Sequence, residues 1–489
     1  MFHLLKKTSL LCLALLPSLA AAEPIVAQIF KMPETVELAA VTTAGHYVLA
    51  YHLVRPLTKL DKFGKIQGDL AQKWQLSKDG KTWTITLTKA KFSNGENIKA
   101  EHVAASIERQ RKIGGGVHFS FSQITGVKVI DPSTIEISLA GPRNDFIFDL
   151  SKPEFGVLSP SDAAAPKGAL KLDITSGAYT LLSRTGTTYH LKRSPHFKID
   201  AGNERDLVLE SSDGDGSPAS LKEGRIAFYT GQQNLSLGKH KEVTENPSLK
   251  AERPHIGFSF WVSINPESPV FQTASSRAYL QKLVHEFHSK EMNEHTWEKA
   301  HQLYLPDGDG RPSQAQLDRT WSTITARAKA PKSKPKLRVV PLRTTPPMIQ
   351  ELLDYLKPRY DIELVNYATE EELIALLKSG KFDVKLQSND FSSTDLSENL
   401  KTTFNDVRPY IFLAKKSRVK ALMQKSVETT DKNVQSGIYK DIATTLLLDG
   451  AIAPLAYQRL WFYMKRDLDT SPWSKTHPEI SFWKVRGHE

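Results

Sequence analysis

Two aspartates follow a β-rich run near residue 386. Asp390 closes Gln387-Ser388-Asn389-Asp390, and Asp395 opens Asp395-Leu396-Ser397. A carboxylate held just beyond a strand can fix an ammonium group of a ligand, with nearby donors left for its carbonyls. The plainer reading of both is a loop aspartate capping a turn. A second candidate is Thr42-Thr43-Ala44-Gly45-His46-Tyr47. Its small residues would let backbone groups approach a ligand closely. The same letters also describe a helix start capped by Thr43. Trp261 and Asn265, in Trp261-Val262-Ser263-Ile264-Asn265, complete the candidates, although a tryptophan there suits a core as well as a contact.

Other spacings point to chemistry less well. His288, Glu291 and His295 fall at i, i+3 and i+7, with His285 and His301 nearby. On one helix face they would suit zinc or nickel, but the compact His-Glu-x-x-His pattern is missing. Asp213-Gly214-Asp215-Gly216 opens like a calcium loop, yet Gly224 stands where the closing glutamate belongs, so a surface turn is expected. Ser417-Arg418-Val419-Lys420 has the Ser-x-x-Lys form without the partner motifs of penicillin-recognising enzymes. There is no Gly-x-Ser-x-Gly and no phosphate loop. None of these motifs is complete, so no catalytic residue, resident metal or cofactor is expected from them.

The elements that must position these residues are legible in part. Trp83, Ile85 and Leu87 alternate with threonines, the period of a half-buried strand, after the turn signal Asp79-Gly80. Val103 and Ile107 repeat at helical spacing, and Gly114-Gly115-Gly116 stops that helix. Val127–Ile130 and Thr134–Leu139 flank Asp131-Pro132-Ser133 and read as a hairpin. A helix is expected from Arg277-Ala278 towards His301. Residues 336–386 read as strand-helix-strand-helix-strand. Thr345 caps the first helix ahead of Pro346 and Pro347, Thr369 and Glu372 form a capping box, and Gly380 stops the second helix. That order implies parallel strands with right-handed crossovers, and ligands sit beyond the carboxyl ends of such strands. The loop after Leu386 therefore becomes the site candidate.

The amino terminus reads as a targeting signal. Lys6 and Lys7 precede an apolar core, Leu10 to Leu19, and Ala20-Ala21-Ala22 offers a cleavage site before Glu23. Cys12, the only cysteine, lies inside it. Without Leu11 being small, lipidation of Cys12 is not expected, and the mature chain would hold no disulfide. The 489 residues leave room for two or three domains, and no later segment is apolar enough to span a bilayer. The formal charge is +11, or +9 without Lys6 and Lys7. Its densest run, Lys329 to Lys336, is proline-rich and reads as a solvated loop. A nucleic-acid role would need a basic stripe with interleaved aromatics, which is absent.

The wording of the amino-terminal third goes further than its periodicity. Leu70-Ala71-Gln72-Lys73-Trp74, Ser77-Lys78-Asp79-Gly80-Lys81-Thr82-Trp83-Thr84, Lys91-Phe92-Ser93-Asn94-Gly95-Glu96 and Ala100-Glu101-His102-Val103 resemble the signature region of the family 5 extracellular solute-binding proteins. These are the oligopeptide- and dipeptide-binding components of ABC transporters. Looser landmarks follow: Ser176-Gly177-Ala178-Tyr179 with Ala178 for a proline, Ser194 for an asparagine, Leu221–Ala227 with Ala227 for an aspartate, and Ala453-Pro454-Leu455-Ala456-Tyr457-Gln458.

The resemblance implies an α/β chain with the type II periplasmic-binding-protein fold, two lobes around a hinge-lined cleft and an extra segment in lobe I. The expected division is a signal over 1–22, lobe I over 23–260, lobe II over 261–453, and a return to lobe I over 454–489. It implies a periplasmic monomer that captures peptides and docks on an inner-membrane permease. Asp390 stands where peptide-binding members carry their amine-binding carboxylate in a Trp-x-x-Asp context, with Gln387 in place of the tryptophan, and Asp395-Leu396-Ser397 resembles the Asp-Pro that follows it. Thr43, Gly45, His46 and Tyr47 match a loop that faces the cleft. The rivals are a divergent member for a non-peptide ligand such as nickel, haem or a sugar, and a periplasmic hydrolase or metalloenzyme.

Overall fold

Trp83, Ile85 and Leu87 are 5%, 0% and 6% exposed, so the alternation in Thr82–Leu87 places them on one buried face. The computed structural model describes residues 23–41, 43–61, 65–114, 119–197, 203–212, 217–231, 235–253, 257–290, 292, 297–304, 310–342, 346–390, 396, 400, 403–404, 409–429, 431–473 and 480–487. The signal expected over 1–22, with Cys12, lies outside them. Thr82–Leu87 is the second strand of a four-stranded antiparallel sheet, in the order 71–76, 82–87, 134–139, 124–131. The last two are the expected hairpin. The helix Ala100–Gly114 packs Val103 and Ile107 onto this sheet, giving a separate core.

A first large sheet holds seven strands, in the order 249–252, 462–465, 228–230, 25–30, 207–212, 188–193, 179–185. Ile25–Phe30 lies at its centre, parallel to Leu207–Ser212 and Phe228–Thr230. A second sheet holds six strands, in the order 297–299, 452–459, 257–264, 384–390, 336–340, 361–364. Its last three strands are parallel, as the strand-helix pattern of 336–386 requires. The helices between them are Pro347–Leu356 and Glu370–Ser379. Thr369 and Glu372 form the expected capping box, and Gly380 closes the second helix at φ 64°. Thr345 lies outside the described residues, and the cap of the first helix is Pro346.

Both faces of the second sheet are covered. Phe260, Val262 and Leu386 pack against the helices Ala274–Glu286 and Pro347–Leu356. Trp261 and Tyr457 pack on the other face, against Gln314–Arg327 and Lys432–Leu448.

Two expectations need correcting. The helix near Arg277 ends at Glu286, with Phe287 extended and buried at its cap. Lys299 Nζ donates to the Val284 and Phe287 carbonyls at 2.7 and 2.9 Å, which satisfies the open end of that helix. His288 therefore stands beyond the helix. The boundaries expected at 260/261 and 453/454 fall inside Gly257–Ile264 and Ile452–Arg459, two full strands of the six-stranded sheet. The chain passes between sheets after Glu252 and again between Arg459 and Phe462. Ala453–Gln458 thus belongs to the second sheet, because all of it but Leu455, at a bulge, pairs with Gly257–Ile264 or Trp297–Lys299.

Candidate ligand-binding cleft

Strand direction fixes where the two sheets meet. Leu249–Glu252 runs antiparallel to Phe462–Lys465, which runs antiparallel to Phe228–Thr230. Glu252 therefore lies at the carboxyl edge of the parallel strands in the first sheet. In the second sheet Gly257 pairs with Arg459, and Phe258 pairs with Asp390 at the carboxyl end of Val384–Asp390. Both crossovers hence join carboxyl edge to carboxyl edge. The space between those edges is where an α/β sheet receives a ligand.

Asp390 is the last residue of its strand at this edge. Asp395 lies outside the described residues. On the first lobe, the helix Ala44–Leu53 starts at the carboxyl end of Ile25–Phe30. A Cβ on Gly45 would stand 2.7 Å from the Lys31 carbonyl oxygen and 2.8 Å from that of Phe30. Glycine is thus needed for helix-on-strand contact, a role sequence reasoning gave to ligand approach. Thr43 Oγ1 accepts from His46 N at 3.3 Å and donates to Lys31 O at 3.4 Å, the helix cap. Tyr47 Oη donates to Glu154 Oε1 at 2.8 Å, and His46 is 5% exposed. The loop reaches the cleft edge, but the described contacts of these side chains point into the lobe.

Trp261 is 1% exposed and belongs to the core of the second lobe. Asn265 lies at the opposite edge. Ile264 pairs with Val384, the start of the strand that Asp390 ends, which puts Asn265 about 20 Å from the carboxyl edge. Its amide donates to Phe382 O at 2.9 Å and its Oδ1 accepts from Glu267 N at 3.0 Å, a turn anchor.

The metal-like spacing does not assemble as expected. Glu291 and His295 lie outside the described residues. His285 and His301 do meet, with ring centroids 5.2 Å apart, and His285 stacks on Trp321 at 3.9 Å. Burial, with His301 and Lys299 adding to it, pushes the His285 pKa down to about 4. No group of three metal-ligating side chains forms among the described residues. Asp213–Gly216 also lies outside them, and Gly224 is a turn at φ 78°. Ser417 Oγ accepts from Val419 N at 3.4 Å at the start of Val419–Glu428, a local cap.

Sequence reasoning expected a hinge but missed the residues that make it. Arg253, on the first crossover, is ion-paired with Glu298 of the second lobe. Its guanidinium also lies 6.0 Å from the ring of Trp461, on the second crossover. His240, from the first-lobe helix Leu237–Thr244, meets Trp461 edge-on at 4.7 Å. Asn144, in the loop after the four-stranded sheet, donates to the Glu428 carbonyl of the second lobe at 3.3 Å. The lobes therefore touch at the crossovers and at this separate contact. The signal available was only Trp461 beside Phe462-Tyr463, which reads as strand. Behind Asp390 the strand carries a buried polar row: Lys385, 3% exposed, reaches Gln387 and lies 5.6 Å from the Tyr410 ring.

Two α/β lobes joined edge to edge by two crossovers, with the cleft between them, define a type II periplasmic-binding-protein fold. Solved structures agree over nearly the whole chain. NikA from Brucella suis in complex with Fe(III)-EDTA superposes with a TM-score of 0.77 at 17% identity, covering 95% of this chain and 100% of that one. The ABC transporter-associated periplasmic binding protein DppA from Helicobacter pylori, in complex with peptide STSA, gives 0.74 at 18%, covering 96% and 98%.

Residues 65–278 match the model for bacterial extracellular solute-binding proteins, family 5 Middle. The match covers a little under half of the chain. The probable D,D-dipeptide-binding periplasmic protein DdpA of Escherichia coli is 28% identical over 263 residues, 50% of each chain. The glutathione-binding protein GsiB of Salmonella typhimurium is 31% identical over 151 residues, 30% of this chain and 29% of its own. The nickel-binding periplasmic protein of Escherichia coli is 21% identical over 468 residues, 88% of each. The match thus spans about half the length of the first relative and under a third of the second. Among the described residues no helix is long and apolar enough to cross a membrane.

Proposed function

We propose that this protein is the periplasmic substrate-binding component of an ABC importer, without catalytic activity, which captures peptides between its lobes and delivers them to a membrane permease. The observation that carries this reading is the facing pair of carboxyl edges, in a chain that the family 5 model matches in part. A ligand bridging both edges stabilises the closed arrangement through its higher affinity for it. Asp390 is the proposed partner of a ligand ammonium group, with Asp395 as the second carboxylate. The relatives named for dipeptides and glutathione favour a peptide cargo. Export by a cleaved signal over 1–22, and action as a monomer, belong to the same reading.

A second reading is a non-peptide ligand. It is favoured by Gln387, which takes the place of the expected tryptophan beside Asp390, and by the nickel-binding relative that aligns over most of the chain. Native mass spectrometry of the protein purified from its own periplasm separates the two. Release of a ladder of short peptides on mild denaturation supports the first; a single non-peptide species or a metal complex supports the second. Turnover of a released ligand by the purified protein would refute the carrier assignment.

A further inference from the structure

The Lys329 to Lys336 run is not absorbed by the cleft, and the fold gives it company. Lys329, Lys332 and Lys334 are exposed in the loop between the helix Gln314–Arg327 and the strand Lys336–Val340. That loop lies at the amino-terminal edge of the parallel strands in the second lobe, the edge opposite the cleft. Pro335 O accepts from Asp361 N at 2.9 Å, which ties the loop to the start of the edge strand. Lys378 and Lys381 arrive at the same edge, just before Val384, and are exposed as well. Asn265 fixes them there, because its amide donates to Gly380 O and Phe382 O.

None of these five lysines has an ion-pair partner among the described residues. Their neighbours Lys336 and Lys357 are paired, with Glu363 at 2.8 Å and Asp354 at 2.7 Å. Glu267 and Asp361 are exposed carboxylates at the edge and leave it positive. Helix carboxyl termini also end here, and their dipoles account for Arg327 and Lys378 in last turns. They do not account for Lys332 and Lys334, which lie beyond the Ala328 cap of the helix Gln314–Arg327.

We propose that this basic edge is a docking surface for an anionic lipid bilayer, which holds the carrier at the membrane with its cleft turned away from the headgroups. The charge is complementary, the side chains are long and unpaired, and clustered lysines near an anionic leaflet attract it additively. The attraction acts within a Debye length of about 8 Å at physiological salt, so it is reversible.

The test uses the mature chain and vesicles of phosphatidylcholine alone or with 30% phosphatidylglycerol, read by co-sedimentation at about 0.1 M salt. Binding only to the anionic vesicles is expected. K329S/K332S/K334S should weaken it by about a hundredfold, from about fivefold per lysine. K73S/K78S/K128S, which removes the same charge from the exposed face of the four-stranded subdomain, should change it little. Equal loss in both variants would overturn the proposal in favour of net charge. No binding by the wild type, or binding of a DNA duplex through the same lysines without vesicle binding, would overturn it too.

Discussion

Replacing Arg109 with methionine should destabilise the first lobe and do so in a pH-dependent way. Arg109 and Glu37 form a bidentate pair at 2.8 and 2.9 Å, with side chains 3% and 5% exposed. Glu37 also accepts from Gly168 N at 2.8 Å and from Ala39 N at 3.2 Å, while Arg109 donates to Ala165 O and Pro166 O. The pair thus locks the segment after Ile25–Phe30 onto the helix Ala100–Gly114. That segment leads into the Thr43–Tyr47 loop at the cleft edge. Burial pushes the Glu37 carboxyl up, but Arg109 and the two amides outweigh it and hold the pKa below the usual range. A depressed carboxyl pKa means that the pair's contribution is present above pH 4.5 and is lost as pH falls through the folded value. R109M leaves a buried carboxylate without its cation, which costs about 3–5 kcal/mol at pH 8. Without the cation, burial raises the Glu37 pKa, so the loss should shrink at pH 5. E37Q/R109M keeps an acceptor for the amides without the charge, and should recover at least about 1 kcal/mol over R109M at pH 8. Urea unfolding followed by circular dichroism at both pH values measures the loss. Hydrogen exchange over residues 37–41, 100–114 and 165–172 assigns it to this lobe. The reasoning is refuted if R109M lies within about 1 kcal/mol of the wild type at pH 8, or if E37Q/R109M is the weaker of the two.

Three further outcomes are expected. G45A should lower stability by about 1–3 kcal/mol, because its Cβ meets the Phe30 and Lys31 carbonyls; an unchanged melting temperature would show that the helix start shifts freely. His285, with its pKa near 4 against 6.5, contributes stability that is full above pH 6.5 and is lost as pH falls towards 4. The loss is at most about 3 kcal/mol, and a pH–stability profile of H285F should be flatter across that window. D390N should weaken binding of a co-purified peptide at least about thirtyfold by calorimetry, and affinity unchanged would remove Asp390 from the site.

Local patterns in the sequence determined the elements whose causes are local. The Trp83-Ile85-Leu87 alternation, the Thr369/Glu372 capping box and Gly380 lie where the residues alone place them, since each depends on neighbours within a turn or a strand. The parallel order of 336–340, 361–364 and 384–390 followed from crossover handedness and chain order. The family landmarks of the amino-terminal third pointed to the two-lobed fold.

Tertiary structure decided what joins distant segments. The letters around Gly45 suit a ligand loop or a helix start equally, and only the Phe30 and Lys31 carbonyls beneath it show why glycine stands there. Asn265 is four residues from Trp261 in the chain, yet the strand carries it to the edge away from the cleft. The helix expected to run to His301 stops at Glu286, because Lys299, from a strand thirteen residues on, takes its last carbonyls. The hinge made by Arg253, Glu298, Trp461 and His240 has no sequence motif, since its four residues come from four elements that meet only when both lobes are folded. Periodicity records which face of an element is buried; it does not record which elements share an edge, and the binding cleft is built from shared edges.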